Sequence, residues 1–199
     1  MIDAIWYWII IGVLSVLLII WLIFALYRGV RFESILVFGY IFLILGMSFT
    51  LGEYLPIPYY LHISGSLTFL GILFILLGIL SSQGRWVKRK GTRKLSSFRN
   101  LFIFAYIRHP IVFGTVILSF ALIFLANSIL SNVFAVLAVF CFFLASFEKD
   151  SYMIETYGYP YKVYASQVPR FNVIWGIVKA VRANRPRNGD TKKTELLHT

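Results

Sequence analysis

The chain has 199 residues, 59% of them hydrophobic and 18% aromatic, with a mean hydropathy of +0.80 and a net charge of +11. A soluble domain of this length has too little interior for so much apolar surface, so a single multi-pass membrane domain is expected. The one cysteine, Cys141, lies in an apolar run, which excludes an intramolecular disulfide and a cysteine-cluster metal site.

Five apolar runs are candidates for crossing a bilayer: about 5–27, 35–51, 65–80, 111–126 and 133–147. The first begins "MIDAIWYWII", with Asp3 and no basic residue, and reads as a retained span rather than a cleaved leader. Gly71 and Gly78 in the third run put small residues on one helix face, where another helix can approach closely.

The connections differ in charge. The first carries Arg28 and Arg31 against Glu33, and the second, "GEYLPIPYYLHIS", has only Glu53 and His62. The third, over 85–99, holds Arg85, Lys88, Arg89, Lys90, Arg93, Lys94 and Arg99 without an acid, whereas the fourth, "NSILSN", is uncharged. Cytoplasmic loops concentrate Lys and Arg, so the first and third connections and the C-terminus are expected inside and the N-terminus outside. The basic loop suits anionic lipids; nothing beside it resembles a nucleic-acid module, and no nucleic-acid partner is expected. Residues 182–199 are polar and basic and read as a disordered tail.

Polar residues gather at the ends of the last two runs. The helical pattern of the fifth run continues through Glu148, Asp150 and Glu155 and stops at "YGYP", giving a cytosolic extension over 148–157. Helical spacing puts Glu148, Tyr152 and Glu155 on one face and turns Asp150 away from it. Pro110 precedes Asn127 by 17 residues and Lys149 follows Asn132 by 17. An antiparallel hairpin therefore brings Arg108 and His109 level with Glu148 and Asp150. Pro110 fits a first helical turn, whose free amides attract an anion. An interfacial ion pair that merely fixes the hairpin accounts for the same spacing.

"IRHPIVFGTVILSFALIFLANSILS" with "FEKDSYMIETYGYPYKVYASQVPRF" resembles the C-terminal half of the isoprenylcysteine carboxyl methyltransferase and phospholipid methyltransferase superfamily, over roughly residues 100–175. Arg108, His109, Pro110 and Gly114 match its first motif. Tyr157, Gly158, Tyr161, Tyr164, Val168, Pro169, Arg170 and Phe171 match or conservatively replace its ending. The family's glutamate pair falls here on Lys149 and Asp150, with Glu148 displaced by one; its Gly-x-Tyr is replaced by Phe102-Ile103-Phe104. The resemblance implies an all-α membrane fold with a cytosolic-face site for S-adenosylmethionine and an apolar or lipid methyl acceptor. It implies cofactor contacts from Tyr106, Arg108, His109, Pro110, Glu148 and Asp150, with Arg108 and Glu148 catalytic and no metal. A non-catalytic relative and a membrane sterol-type reductase are the alternatives. The aromatic segment after Gly158 is expected to fold back over the mouth of the hairpin.

Overall fold

The computed structural model describes residues 2–50, 58–86, 102–126 and 128–184. Most of the basic third connection and the tail from 185 onward lie outside these residues, as does the start of the second connection. All regular structure among the described residues is helical: α1 (Ile2–Arg28), α2 (Arg31–Thr50), α3 (Pro58–Trp86), a 3₁₀ turn (Phe102–Ala105), α4 (Pro110–Leu125), α5 (Ile129–Tyr157), α6 (Tyr159–Gln167) and α7 (Val173–Asn184).

Four of these helices, α1, α2, α3 and α5, are long and apolar enough to cross a membrane. The remaining apolar helix, α4, has 16 residues, about 24 Å of helix against a hydrocarbon core of about 30 Å. It is the partner of α5 in an antiparallel hairpin, with Val112 packed against Ala138 and Phe142.

Close backbone approach organises the bundle, through small residues of the kind that line helix contacts in membrane proteins. A Cβ on Gly71 would meet the Gly114 carbonyl and Leu118, and one on Gly78 would meet Ile111 and Pro110, so α3 lies directly on α4. The α2–α5 contact uses Gly39 under Phe142 and Gly46 against the Ser131 carbonyl, where Leu122 of α4 also reaches. The outer helix α1 touches the rest chiefly through α2, where Trp21 lies against Tyr40. The long apolar helices and α4 thus stand in the order α1, α2, α5, α4, α3 across the bundle.

Hydroxyls join helices at the end of the bundle where α2 finishes. Ser131 donates to the Gly46 carbonyl at 2.6 Å, Thr50 and Ser131 share a 2.8 Å bond, and Ser64 donates to the Ala121 carbonyl at 2.9 Å. At the opposite end α5 outruns its neighbours. Its 29 residues span about 44 Å, and it stops at Gly158, whose φ of +65° is open to glycine but strained for other residues. Pro160 then opens α6 rather than simply ending α5, because a first-turn position needs no N–H.

Candidate functional site

The centre of the long end of the bundle is Asp150. It sits one turn beyond Ser146 and two beyond Phe142, on the buried stripe of α5. Five donors converge on its carboxylate. Arg108 Nη1 donates to Oδ2 at 2.7 Å, and Arg170 donates to the same oxygen through Nε at 3.0 Å and Nη2 at 2.7 Å. Tyr161 OH donates to Oδ1 at 2.7 Å, and His109 Nε2 lies 2.8 Å from that oxygen. Since an ionised carboxylate only accepts, Nε2 carries the proton and Nδ1 is the acceptor of the ring.

His109 is 3% exposed. Burial pushes its pKa down to about 4; the bond to Asp150 opposes this, and the charges of Lys149 and Arg108 add to it. Neutrality follows from the charge count as well, because two guanidiniums already face the single carboxylate. The Tyr161 hydroxyl is raised far above its ordinary value by burial and by its bond to Asp150, so it remains a donor.

The segment after Gly158 folds back on the hairpin. Tyr161, Tyr164 and Val168 pack on Met153, Ile154 and Tyr157 at the end of α5. Tyr164 OH donates to the Phe104 carbonyl at 2.8 Å, and the Arg108 amide donates to the Pro169 carbonyl at 3.1 Å. Arg170 lies over the Phe147 ring, 3.6 Å from its centroid, so its reach to Asp150 is set by stacking as well as by charge.

Beside Asp150 is a cleft of about 80 Å³, lined by Arg108, His109, Pro110 and Lys149 together with Phe104, Met153, Tyr161 and Tyr164. Such a space holds several waters but falls short of the ~300–1,000 Å³ of pockets that enclose a whole cofactor. The N-terminus of α4 belongs to its lining: His109 is the cap residue with no side-chain capping bond, and Pro110 stands at the first turn. The amides of Ile111 and Val112 are free of intrahelical bonds by position. Arg108 Nε is buried and has no hydrogen-bond partner among the described residues.

Of the expected site residues, the structure brings Arg108, His109, Pro110 and Asp150 together. Tyr106 and Glu148 are not among the residues lining the cleft. The reason for Glu148 is helical register. The helix α5 is unbroken from Ile129 to Tyr157, so Glu148 is turned about 200° from Asp150. The expected shared face of Glu148, Tyr152 and Glu155 also points away from the cleft: Tyr152 and Glu155 are exposed, and Tyr152 leans on Phe32 of α2. Tyr106 follows the 3₁₀ turn, and its carbonyl lies against Gly176. Sequence reasoning did not assign Arg170, Tyr161 or Lys149 to the site. Arg170 and Tyr161 had a usable signal, since both lie in the motif ending and a buried acid needs donors. No family model matches the chain, and no curated protein or solved structure matches it.

Proposed function

We propose that the protein is a membrane-embedded methyltransferase that uses S-adenosylmethionine and acts on a lipid or other apolar acceptor. The proposal includes five spans with the N-terminus outside and the C-terminus cytoplasmic, the cleft at the cytosolic face and anionic lipid beside residues 85–99. The observation that carries it is the composition of the cleft, whose lining combines cations and free helix amides with aromatic rings.

That donor set fits the carboxylate of an amino-acid group, held by the amides of Ile111 and Val112 with Arg108 Nε and Lys149. The cleft volume fits this end of the cofactor and not the whole of it. Tyr161, Tyr164 and Phe104 put aromatic rings in the lining, a residue type that attracts a sulfonium or other cation. When bound, the cofactor supplies an electrophilic methyl group that leaves a neutral thioether behind. The protein's part is alignment and exclusion of water, which α6 serves by closing over the hairpin. Asp150 has its lone pairs occupied by five donors, so it positions Arg108, His109 and Arg170 instead of meeting the cofactor's ammonium group.

The same five bonds favour a second reading, in which the cluster is only a clasp that ties the hairpin to its roof. Binding of radiolabelled S-adenosylmethionine to the detergent-purified protein, beside NADPH, separates the readings. Saturable binding of the first alone supports the methyltransferase. Binding of neither leaves the clasp, and binding of NADPH alone points to a reductase.

A further inference from the structure

Helix α7 is built differently from the spanning helices. Asn172 caps it, accepting the Trp175 amide at 2.9 Å through Oδ1, and the Gly176 amide donates to the Asn172 carbonyl at 3.0 Å. Gly176 is buried, and a Cβ there would overlap the Tyr106 carbonyl, so α7 rests backbone to backbone on the turn that precedes Arg108. Val173 packs on Phe104 and Ile107 with Phe74 and Leu77 of α3. Lys179 Nζ donates to the Ser166 carbonyl of α6 at 3.2 Å.

The other side of α7 is apolar and bare. Ile174, Ile177 and Val181, three and four residues apart on one face, are 77%, 46% and 61% exposed. Trp175 borders this face and is also exposed. Depth is readable from α3. Leu77 and Gly78, at the level of Val173 and Pro110, precede the end of the apolar window at Ser81 by one turn, about 5 Å. An exposed apolar face at that level lies at the boundary between headgroups and acyl chains. Charge gives the occupant its character: the sequence supplies Arg182, Arg185, Arg187, Lys192 and Lys193 after the face, against Asp190 and Glu195.

We infer that α7 is an in-plane anchor whose Ile174–Ile177–Val181 face docks into an anionic lipid surface and holds the roof of the cleft to the membrane. An amphipathic helix with an apolar face and basic flanks binds this way, through buried area together with attraction to anionic headgroups. The inference rests on the membrane reading and not on methyl transfer.

The test is spin labelling of the full chain in a Cys141→Ser background, reconstituted in phosphatidylcholine vesicles with and without phosphatidylglycerol. A label at Ile177→Cys should be reached by oxygen and shielded from a water-soluble nickel complex, and more deeply with phosphatidylglycerol present. A label at Leu76→Cys, exposed on α3, reports the membrane reading separately and should be deep in both vesicles. A water-exposed label at 177 beside a deep label at 76 overturns the anchor alone. Equal depth at 177 in both vesicles overturns the requirement for anionic lipid, and dipolar broadening at 177 assigns the face to a second copy instead.

Discussion

Arg170 and Arg108, 62 residues apart in the chain, donate to the same oxygen of Asp150, each from 2.7 Å. One precedes α4 and the other follows α6, so a single carboxylate joins the base of the hairpin to its roof. Breaking a buried pair from one side costs about 3–5 kcal/mol because the remaining charges stay desolvated. Asp150→Asn is therefore expected to lower the melting temperature of the detergent-purified protein strongly. Glu148→Gln, on the opposite face of the same helix, should change it little. Equal shifts for the two variants would contradict the clasp.

The neutral state of His109 gives a pH dependence. Its pKa in the folded protein, about 4, is below the ordinary 6.5, so the unfolded chain binds the extra proton first as pH falls. The stabilising effect is present above pH 6.5 and is lost as pH falls through 4. The shift corresponds to stability on the order of 3 kcal/mol. Asp150, Lys149 and Arg108 are the charged groups that act on the ring, and Asp150 is held below the ordinary carboxylate range by its donors, so it stays ionised across that window. Melting curves between pH 7 and pH 4 should show the loss, and His109→Gln, which keeps a donor toward Asp150, should flatten it.

Residue spacing made part of this site legible and helix register hid the rest. Equal counts from the 127–132 turn placed Arg108 and His109 opposite residues 148–150, and Gly158 marked the end of α5. The choice between Glu148 and Asp150 was not legible, because it depends on which face of α5 meets α4. Phe142 and Ala138 decide that, packed on Val112. Arg170 was visible as a motif residue and the fold-back of its segment was expected, yet its aim at Asp150 depends on stacking over Phe147, a tertiary contact without a local sequence marker.

Gly71 and Gly78 are expected to be the least replaceable small residues of α3. A Cβ at either would press on α4 backbone or on Ile111, and forced overpacking costs about 1–3 kcal/mol. Gly78→Val should lower the melting temperature and disturb the cleft, since Pro110 and Ile111 shift with it. Gly65, with open space around it, serves as the control. A Gly65→Val variant as unstable as Gly78→Val would count against this account of the α3–α4 contact.

The proposed orientation is open to labelling in intact cells. Single cysteines introduced in residues 85–99 of a Cys141→Ser background should resist a membrane-impermeant maleimide until the cells are permeabilised. Labelling from outside would reverse the topology and with it the side on which the cleft opens.

The sharpest separation of site from clasp comes from Lys149, which lines the cleft. Its ammonium also lies 5.8 Å from the centroid of the Phe32 ring. A hydrogen bond to a charged group is worth about 1.5–3 kcal/mol, which is tenfold or more in affinity. Lys149→Gln is thus expected to weaken S-adenosylmethionine binding at least tenfold, with the melting curve showing that the variant is folded. Arg108→Ala should weaken it further and lower the melting temperature as well, because Arg108 serves both Asp150 and the cleft, whereas Arg85→Ala should do neither. Titration calorimetry beside melting curves reads all three variants. If Lys149→Gln and a folded Arg108→Ala both bind like the parent, the residues around Asp150 hold the hairpin together and bind no cofactor.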